Sequence, residues 1–302
     1  MTIKHFIETH FGLVLVFACV LGLVVPGLPD IPNESSIVAL ALLMFVSSYK
    51  LQDGGFEVIC WRDIALFWFL RYTLLPLALW YVATLALPAF ATSILLLSVV
   101  PAAVSSPAFT AIYNGAVPTA FAVVVVSQLA TPLLIPLLFM ATGGAQVTPS
   151  PAHLFMTLLL CIVLPMIAYF LARKHKPSAA YLYAQNKFFS ILLIVFVIAL
   201  AVAKQREVIL ANPLGVITPL LVALGCYAVY MVTAWVLSAK RRMAERLTYT
   251  TCSAFNNAAL AVSLGLMHFG PDVVLFVAAS EIGWALLPAM MKGWLRVTGH
   301  GS

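Results

Sequence analysis

The run Ile191-Leu-Leu-Ile-Val-Phe-Val-Ile-Ala-Leu200 has no polar side chain on any face. A half-buried strand would alternate apolar and polar positions. This run does not, and it reads as a helix with apolar surroundings on every side. Further segments read alike, giving ten expected helices with approximate limits 8–26, 35–50, 62–87, 91–113, 117–140, 152–172, 182–203, 213–238, 247–269 and 271–295. Several exceed the ~20 residues needed to cross a bilayer, and 35–50 is at the short limit. Segment 8–26 has the early Lys4 of a signal peptide, but Glu8 and the lack of a small-residue cleavage site make it the first span. No segment carries the alternating pattern of a membrane barrel. The fold class is an all-α membrane protein.

Composition agrees. Of 302 residues 63% are apolar against a usual ~45–50%, and 9% are charged against ~25%. With 16 basic and 10 acidic side chains the chain cannot cover itself in water, and a mean hydropathy of +1.07 makes lipid the solvent. The net charge of +6 lies in short basic clusters between apolar runs rather than along one polar face, which suits anionic headgroups and argues against nucleic acid. Positive charge also orients the chain, because cytoplasmic loops retain Lys and Arg. Thirteen basic residues fall on one side (Lys4, Lys50, Arg62, Arg173, Lys174, Lys176, Lys187, Lys240, Arg241, Arg242, Arg246, Lys292 and Arg296), two on the other (Lys204 and Arg206), and Arg71 falls within a span. Both termini are expected in the cytoplasm, in the cell (inner) membrane. Cys19, Cys60, Cys161, Cys226 and Cys252 have no metal-ligand spacing and read as small core residues.

Ten spans divide into two halves of five, 1–148 and 149–302, at the link marked by Gly143, Gly144, Pro149 and Pro151. An odd number per half inverts the second. Ser127-Gln128-Leu-Ala-Thr-Pro-Leu-Leu in the fifth span resembles Ser280-Glu281-Ile-Gly-Trp-Ala-Leu-Leu in the tenth, as an inverted repeat requires.

The fourth and ninth spans are the expected broken helices. Pro101-Ala-Ala-Val-Ser105-Ser106-Pro107 combines two prolines with two hydroxyls, and proline frees carbonyls deep in the membrane that could face an ion or substrate. Thr250-Thr-Cys252-Ser253-Ala-Phe-Asn256-Asn257 is the most polar intramembrane run. Such groups also serve as glue between helices. Found together in equivalent spans of two halves, they favour a cavity.

These motifs resemble the bile acid:sodium symporter superfamily over nearly the whole length. The resemblance is carried by Leu51-Gln-Asp-Gly-Gly-Phe56, Leu74-Leu-Pro76, the Pro101 to Gly115 segment, Ser127 to Pro136 and Ser253 to Asn257. It implies ten helices in two inverted repeats, a panel domain from spans 1, 2, 6 and 7, a core domain from spans 3, 4, 5, 8, 9 and 10, and fourth and ninth helices that cross at unwound points. It also implies carriage of organic anions such as bile acids, pantoate-like acids and keto acids, usually with sodium. The sodium ligands it implies are mostly replaced. Ser106 is retained, but Pro107 stands for an Asn; the helix-five hydroxyls align with Ala120 and Val124; the helix-nine carboxylate aligns with Cys252. The Gln-Asn pair aligns with Asn256 and Asn257, and the Gln of helix three falls on Arg71.

Arg71 and Glu281 each lie about ten residues from the basic end of their span, Arg62 and Lys292, and so at similar depths. A charge there costs ~2.5–3.5 kcal/mol on insertion scales, so the two are expected to pair or to face a wet cavity. On this reading the guanidinium replaces sodium, and Glu281 balances it or exchanges a proton. A static Arg–Glu bridge between spans three and ten is the plainer alternative. His268 and Asp272 at the outer turn read as solvated loop residues, His153 and His175 also sit at span ends, and Trp61, Tyr181 and Trp294 read as interfacial anchors.

The expected function is secondary active transport of a small organic anion by alternating access, proton-coupled or uncoupled, without a bound cofactor or metal. Expected substrate-binding residues are Ser105, Ser106, Thr110, Ser253, Asn256 and Asn257; expected coupling residues are Arg71, Gln128 and Glu281. Sodium symport is the first alternative and a transport-inactive sensor the second. No HExxH, GxSxG or paired aspartate supports an enzyme.

Overall fold

The structure, a computed structural model, describes residues 4–5, 11–49, 60–143 and 150–299. The Leu51–Phe56 motif and most of the link between halves lie outside these. Each expected segment contains helix, and among the described residues there is no β-strand. In chain order the helices are α1 (Phe11–Val24), α2 (Glu34–Ser48), α3 (Trp61–Ala86), α4 (Ala91–Val99), α5 (Ser106–Ile112), α6 (Val117–Ala141), α7 (Pro151–Ala172), α8 (Lys176–Lys204), α9 (Arg206–Ala211), α10 (Ile217–Leu237), α11 (Met243–Ala254), α12 (Ala258–His268) and α13 (Pro271–Val297). Six regions are long and apolar enough to cross a membrane: 61–86, 117–141, 151–172, 180–204, 213–237 and 271–297. The two expected breaks are present, separating α4 from α5 and α11 from α12.

Prolines shape the long helices. Within α3 and α7 the turns Leu70–Leu74 and Leu159–Val163 are π-helical, and each runs directly into a Leu-Pro pair, Leu75-Pro76 and Leu164-Pro165. A proline ring crowds the carbonyl four residues back, here Tyr72 and Cys161, and supplies no N–H; widening the turn relieves both. Arg71 sits inside the first widened turn.

Helix α8 packs along α1 and α2, α7 along α2, the second half of α3 along α4, α10 along α11 and α13, and α12 along α13. The α1–α8 approach is close enough that a Cβ on Gly22 would lie 2.6 Å from the Ala199 carbonyl oxygen. Leu129, Leu133, Leu137 and Met140 on α6, and Met156, Leu160, Leu164, Ile167 and Leu171 on α7, form exposed apolar stripes at helical spacing, surface that lipid must cover. The polar run of the ninth segment is partly internal housekeeping. Thr248, Thr250 and Thr251 return their hydroxyls to carbonyls four residues back in α11. Cys60 is exposed and departs from its expected core place, whereas Cys161, Cys226 and Cys252 are buried.

Candidate functional site

The two breaks meet. Ala102 and Asn256 form an isolated antiparallel bridge, flanked by Ala103 N–H donating to the Phe255 carbonyl at 2.8 Å and Asn257 N–H donating to the Pro101 carbonyl at 2.7 Å. A helix end leaves carbonyls without intrahelical donors, and inside a membrane each must find one. Side chains supply them here. Asn256 Nδ2 donates to Leu97 O at 2.7 Å, Gln128 Nε2 to Ala102 O at 3.2 Å, Trp284 Nε1 to Asn256 O at 2.9 Å and Ser106 Oγ to Phe255 O at 2.9 Å. Phe109 stacks on Phe255 at 4.1 Å between ring centroids, and Trp284 stands edge-on to both, walling the crossing with apolar faces.

Arg71 occupies the C-terminal ends of both α4 and α11. Its Nη1 donates to Ser98 O at 2.8 Å, its Nη2 to Ser253 O at 2.9 Å, and its Nε to Ser253 Oγ at 2.8 Å. The guanidinium also lies 4.1 Å from the Tyr230 ring centroid and 4.8 Å from that of Tyr72. Helix C-termini carry partial negative charge, worth up to ~2 kcal/mol to a cation in partly buried settings, and an aromatic face adds ~0.5–2 kcal/mol. Together these match the ~2.5–3.5 kcal/mol insertion cost of the charge, and Arg71 is accordingly 1% exposed. Tyr72 O–H donates to Cys252 O at 2.8 Å, Ser253 Oγ donates to Tyr230 O at 2.8 Å, and the Ser98 and Tyr230 hydroxyls are 2.7 Å apart.

The expected Arg71–Glu281 pair is not formed. Arg71 is held by α4 and α11, and among the described residues no ion pair includes Glu281 of α13. Equal depth did not imply equal direction. The carbonyls of Leu97, Ser98, Ala102, Cys252, Ser253, Phe255 and Asn256 at the breaks are bonded to protein donors. Among the buried side-chain oxygens left without a partner are Gln128 Oε1, Asn256 Oδ1, Thr110 Oγ1 and Glu281 Oε1.

Of the remaining expected residues, Thr110 is buried one turn into α5, where Gly115 lets the chain return so closely that a Cβ there would lie 2.6 Å from the Thr110 methyl carbon. Asn257 caps α12, its Oδ1 accepting from Leu260 N–H at 3.2 Å, and its Nδ2 faces Met44 Sδ of α2 at 3.8 Å. Ser105 is half-buried. His268 is not a solvated loop residue: its Nε2 is 3.2 Å from Thr157 Oγ1, and its ring is edge-on to exposed His153. Sequence reasoning missed Ser98, Tyr72, Tyr230 and Trp284. Tyr230, placed mid-segment in α10 rather than at a membrane interface, was the signal that could have revealed the Arg71 pocket.

A lipid-facing helical chain whose two broken helices close on each other has the layout of a membrane transporter. Residues 37–212 match the Sodium Bile acid symporter family, and the chain belongs to that family. It is similar to an uncharacterized sodium-dependent transporter, YocS, of Bacillus subtilis (strain 168), at 25% identity over 276 residues, which cover 89% of this chain and 85% of that one. The chain is a multi-pass integral membrane transporter and not an enzyme.

Proposed function

We propose that this chain is a secondary carrier of a small organic anion, working by alternating access, in which the Arg71 guanidinium stands where relatives of this family bind a coupling sodium ion. The observation that carries the reading is the hold on Arg71: a fixed cation bonded to the C-terminal ends of both broken helices supplies the charge that a bound metal would otherwise bring. Carriage is then proton-coupled or uncoupled. Ser105, Ser106, Thr110, Ser253, Asn256 and Asn257 line the substrate path, with Gln128 beside it. An arriving carboxylate or sulfonate takes amide donors that Asn256 and Gln128 now give to Leu97 and Ala102.

The architecture in this reading is ten spans in two inverted halves, 1–148 and 149–302, both termini cytoplasmic in the inner membrane. Helices α1, α2, α7 and α8 form the panel; α3–α6 and α10–α13 form the core. Two facts support it. A break falls in the fourth helical segment of each half. The offset that maps Ser127 onto Ser280 also maps Ala102 onto Phe255, next to its bridge partner Asn256.

The test is uptake of radiolabelled taurocholate and pantoate into proteoliposomes with sodium or choline outside. Uptake of either acid that is unchanged in choline is the expected result. Uptake that disappears in choline would establish sodium symport, the alternative favoured by the name of the Bacillus relative. Binding of either acid without uptake would make the protein a sensor.

A further inference from the structure

We infer that Glu281 is a proton-binding site set in the seam between α13 and α1, and that its protonation and release accompany each transport cycle. The inference deepens the carrier reading above and rests on it, choosing proton-coupled carriage over uncoupled.

The geometry comes first. On α13 three faces are identifiable by what they touch. Trp284 reaches the crossing, where it bonds Asn256 O; Gly283 lies against Tyr227 and Leu224 of α10; Ala285 packs on the small cluster of Leu15, Ala18, Ile198 and Val202 from α1 and α8. Residue 281 is one turn from both 284 and 285, so its side chain leaves the helix between the crossing and the α1–α8 cluster. The repeat points to the same place. Glu281 is the counterpart of Gln128, whose amide bonds Ala102 O in the break of its own half. Glu281 thus stands at the boundary across which core and panel must slide, one helical turn from the substrate path.

Its chemistry comes second. The carboxyl is 4% exposed, and Oε1 has no hydrogen-bond partner. The titratable residues of the two helices beside it are Cys19 of α1 and Cys226, Tyr227 and Tyr230 of α10, none of them a cation, and the Tyr227 hydroxyl donates to the Ser280 carbonyl at 3.3 Å instead. On the other elements packed against α13, α4 and the 3₁₀ turn Pro213–Val216 carry no titratable residue. Those of α8 lie toward its ends, where Lys204 Nζ donates to Pro29 O at 2.7 Å, and α12 carries His268 at its outer end, beside Thr157. Among the described residues no ion pair includes Glu281. Arg71, the cation at matching depth, is committed to Ser98 and Ser253. A carboxylate anion with neither cation nor full hydrogen bonding is costly in this setting, and the acid is not. Sliding of α13 past α1 wets the seam on one side and removes that cost, so the proton leaves to that side's water. Return to the dry seam requires a proton again, taken from the other side. One H⁺ is bound and one released per cycle, and no bond other than O–H is made or broken.

The first test needs no substrate. Infrared spectra of the full-length protein in phosphatidylcholine nanodiscs at neutral pH should contain a protonated-carboxyl C=O band that Glu281→Gln removes and Glu281→Asp retains at a shifted frequency. A wild-type spectrum with no such band, or one unchanged in Glu281→Gln, overturns the site. The second test reports coupling. Vesicles loaded with a pH dye and given an inward pantoate or taurocholate gradient, corrected for protein-free leak, should acidify with wild-type protein. With Glu281→Gln they should fail to acidify while still exchanging labelled pantoate or taurocholate across the membrane. Equal acidification by both proteins overturns the inference and leaves the carrier reading standing. Movement of neither acid by wild type counts against the carrier reading, and the infrared band then decides the proton site alone.

Discussion

Arg71 and Glu281 are both ionisable, both buried within long helices and both at similar distances from the basic ends of those helices, yet their surroundings share nothing. Every nitrogen of the guanidinium finds an oxygen and two aromatic rings lie within 5 Å of it, whereas Glu281 Oε1 finds no donor at all. A group that cannot lose its charge must be compensated permanently, and Arg is such a group. A carboxyl can discard its charge by taking a proton, so it survives without compensation. The first arrangement suits a fixed part of the site; the second suits a part that changes state.

The contrast makes its largest prediction at Arg71. Leucine there leaves the Ser98 and Ser253 carbonyls without donors at ~1–3 kcal/mol each, so about 2–6 kcal/mol of stability should be lost. Arg71→Lys should restore only part of it, because one ammonium cannot reproduce the planar fork that reaches both helix ends. Thermal unfolding of the full-length protein in detergent reads both. An Arg71→Leu protein as stable as wild type would mean that the helix breaks hold without the cation, and the reading of Arg71 as a resident substitute for sodium would fall.

How far this was legible in the sequence varies with the kind of information needed. Prolines 101 and 107 and the Asn256-Asn257 pair announced both breaks, because proline and adjacent asparagines act on their own backbone, whatever surrounds them. Depth was legible too, since it needs only a residue count and the rise per residue. Direction was not. The π turn at Leu70–Leu74 inserts extra backbone at Arg71 and shifts its azimuth, and no 3.6-residue wheel anticipates that. Asn256 and Gln128 were picked out as polar residues in apolar spans, which is enough to mark the crossing. Which carbonyl each would serve is a property of the crossing, formed by segments about 150 residues apart in the chain. His268 failed for the same reason: its partner, Thr157, lies in another helix, α7, 111 residues earlier in the chain.

A smaller effect is expected at Tyr230. Phenylalanine keeps the ring face 4.1 Å from the guanidinium and deletes the hydroxyl bonded to Ser98. Hydrogen bonds between membrane helices average ~0.6 kcal/mol and reach ~1.7, so Tyr230→Phe should cost about that much and no more. Tyr230→Leu removes the ring as well and should cost measurably more than Tyr230→Phe in the same unfolding assay. Equal losses would assign the effect to the hydroxyl and leave the cation–π contact without energetic weight.

The smallest effect belongs to Glu281, and it tests the other side of the contrast. Glutamine preserves the volume and the neutral charge of a protonated glutamate, and volume-conserving changes in packed interiors cost less than ~1.5 kcal/mol. Because Oε1 has no donor to lose, Glu281→Gln should sit at the bottom of that range and leave the unfolding temperature at neutral pH nearly where it was. Raising the pH should then separate the two proteins. Wild-type stability falls as the buried carboxyl is forced to ionise, since the unfolded chain ionises it freely and the seam does not, while the glutamine variant has nothing to ionise there. If Glu281→Gln instead destabilises at neutral pH on the scale of Arg71→Leu, the carboxylate has an ionic partner in the membrane, and both buried charges are fixtures of the fold.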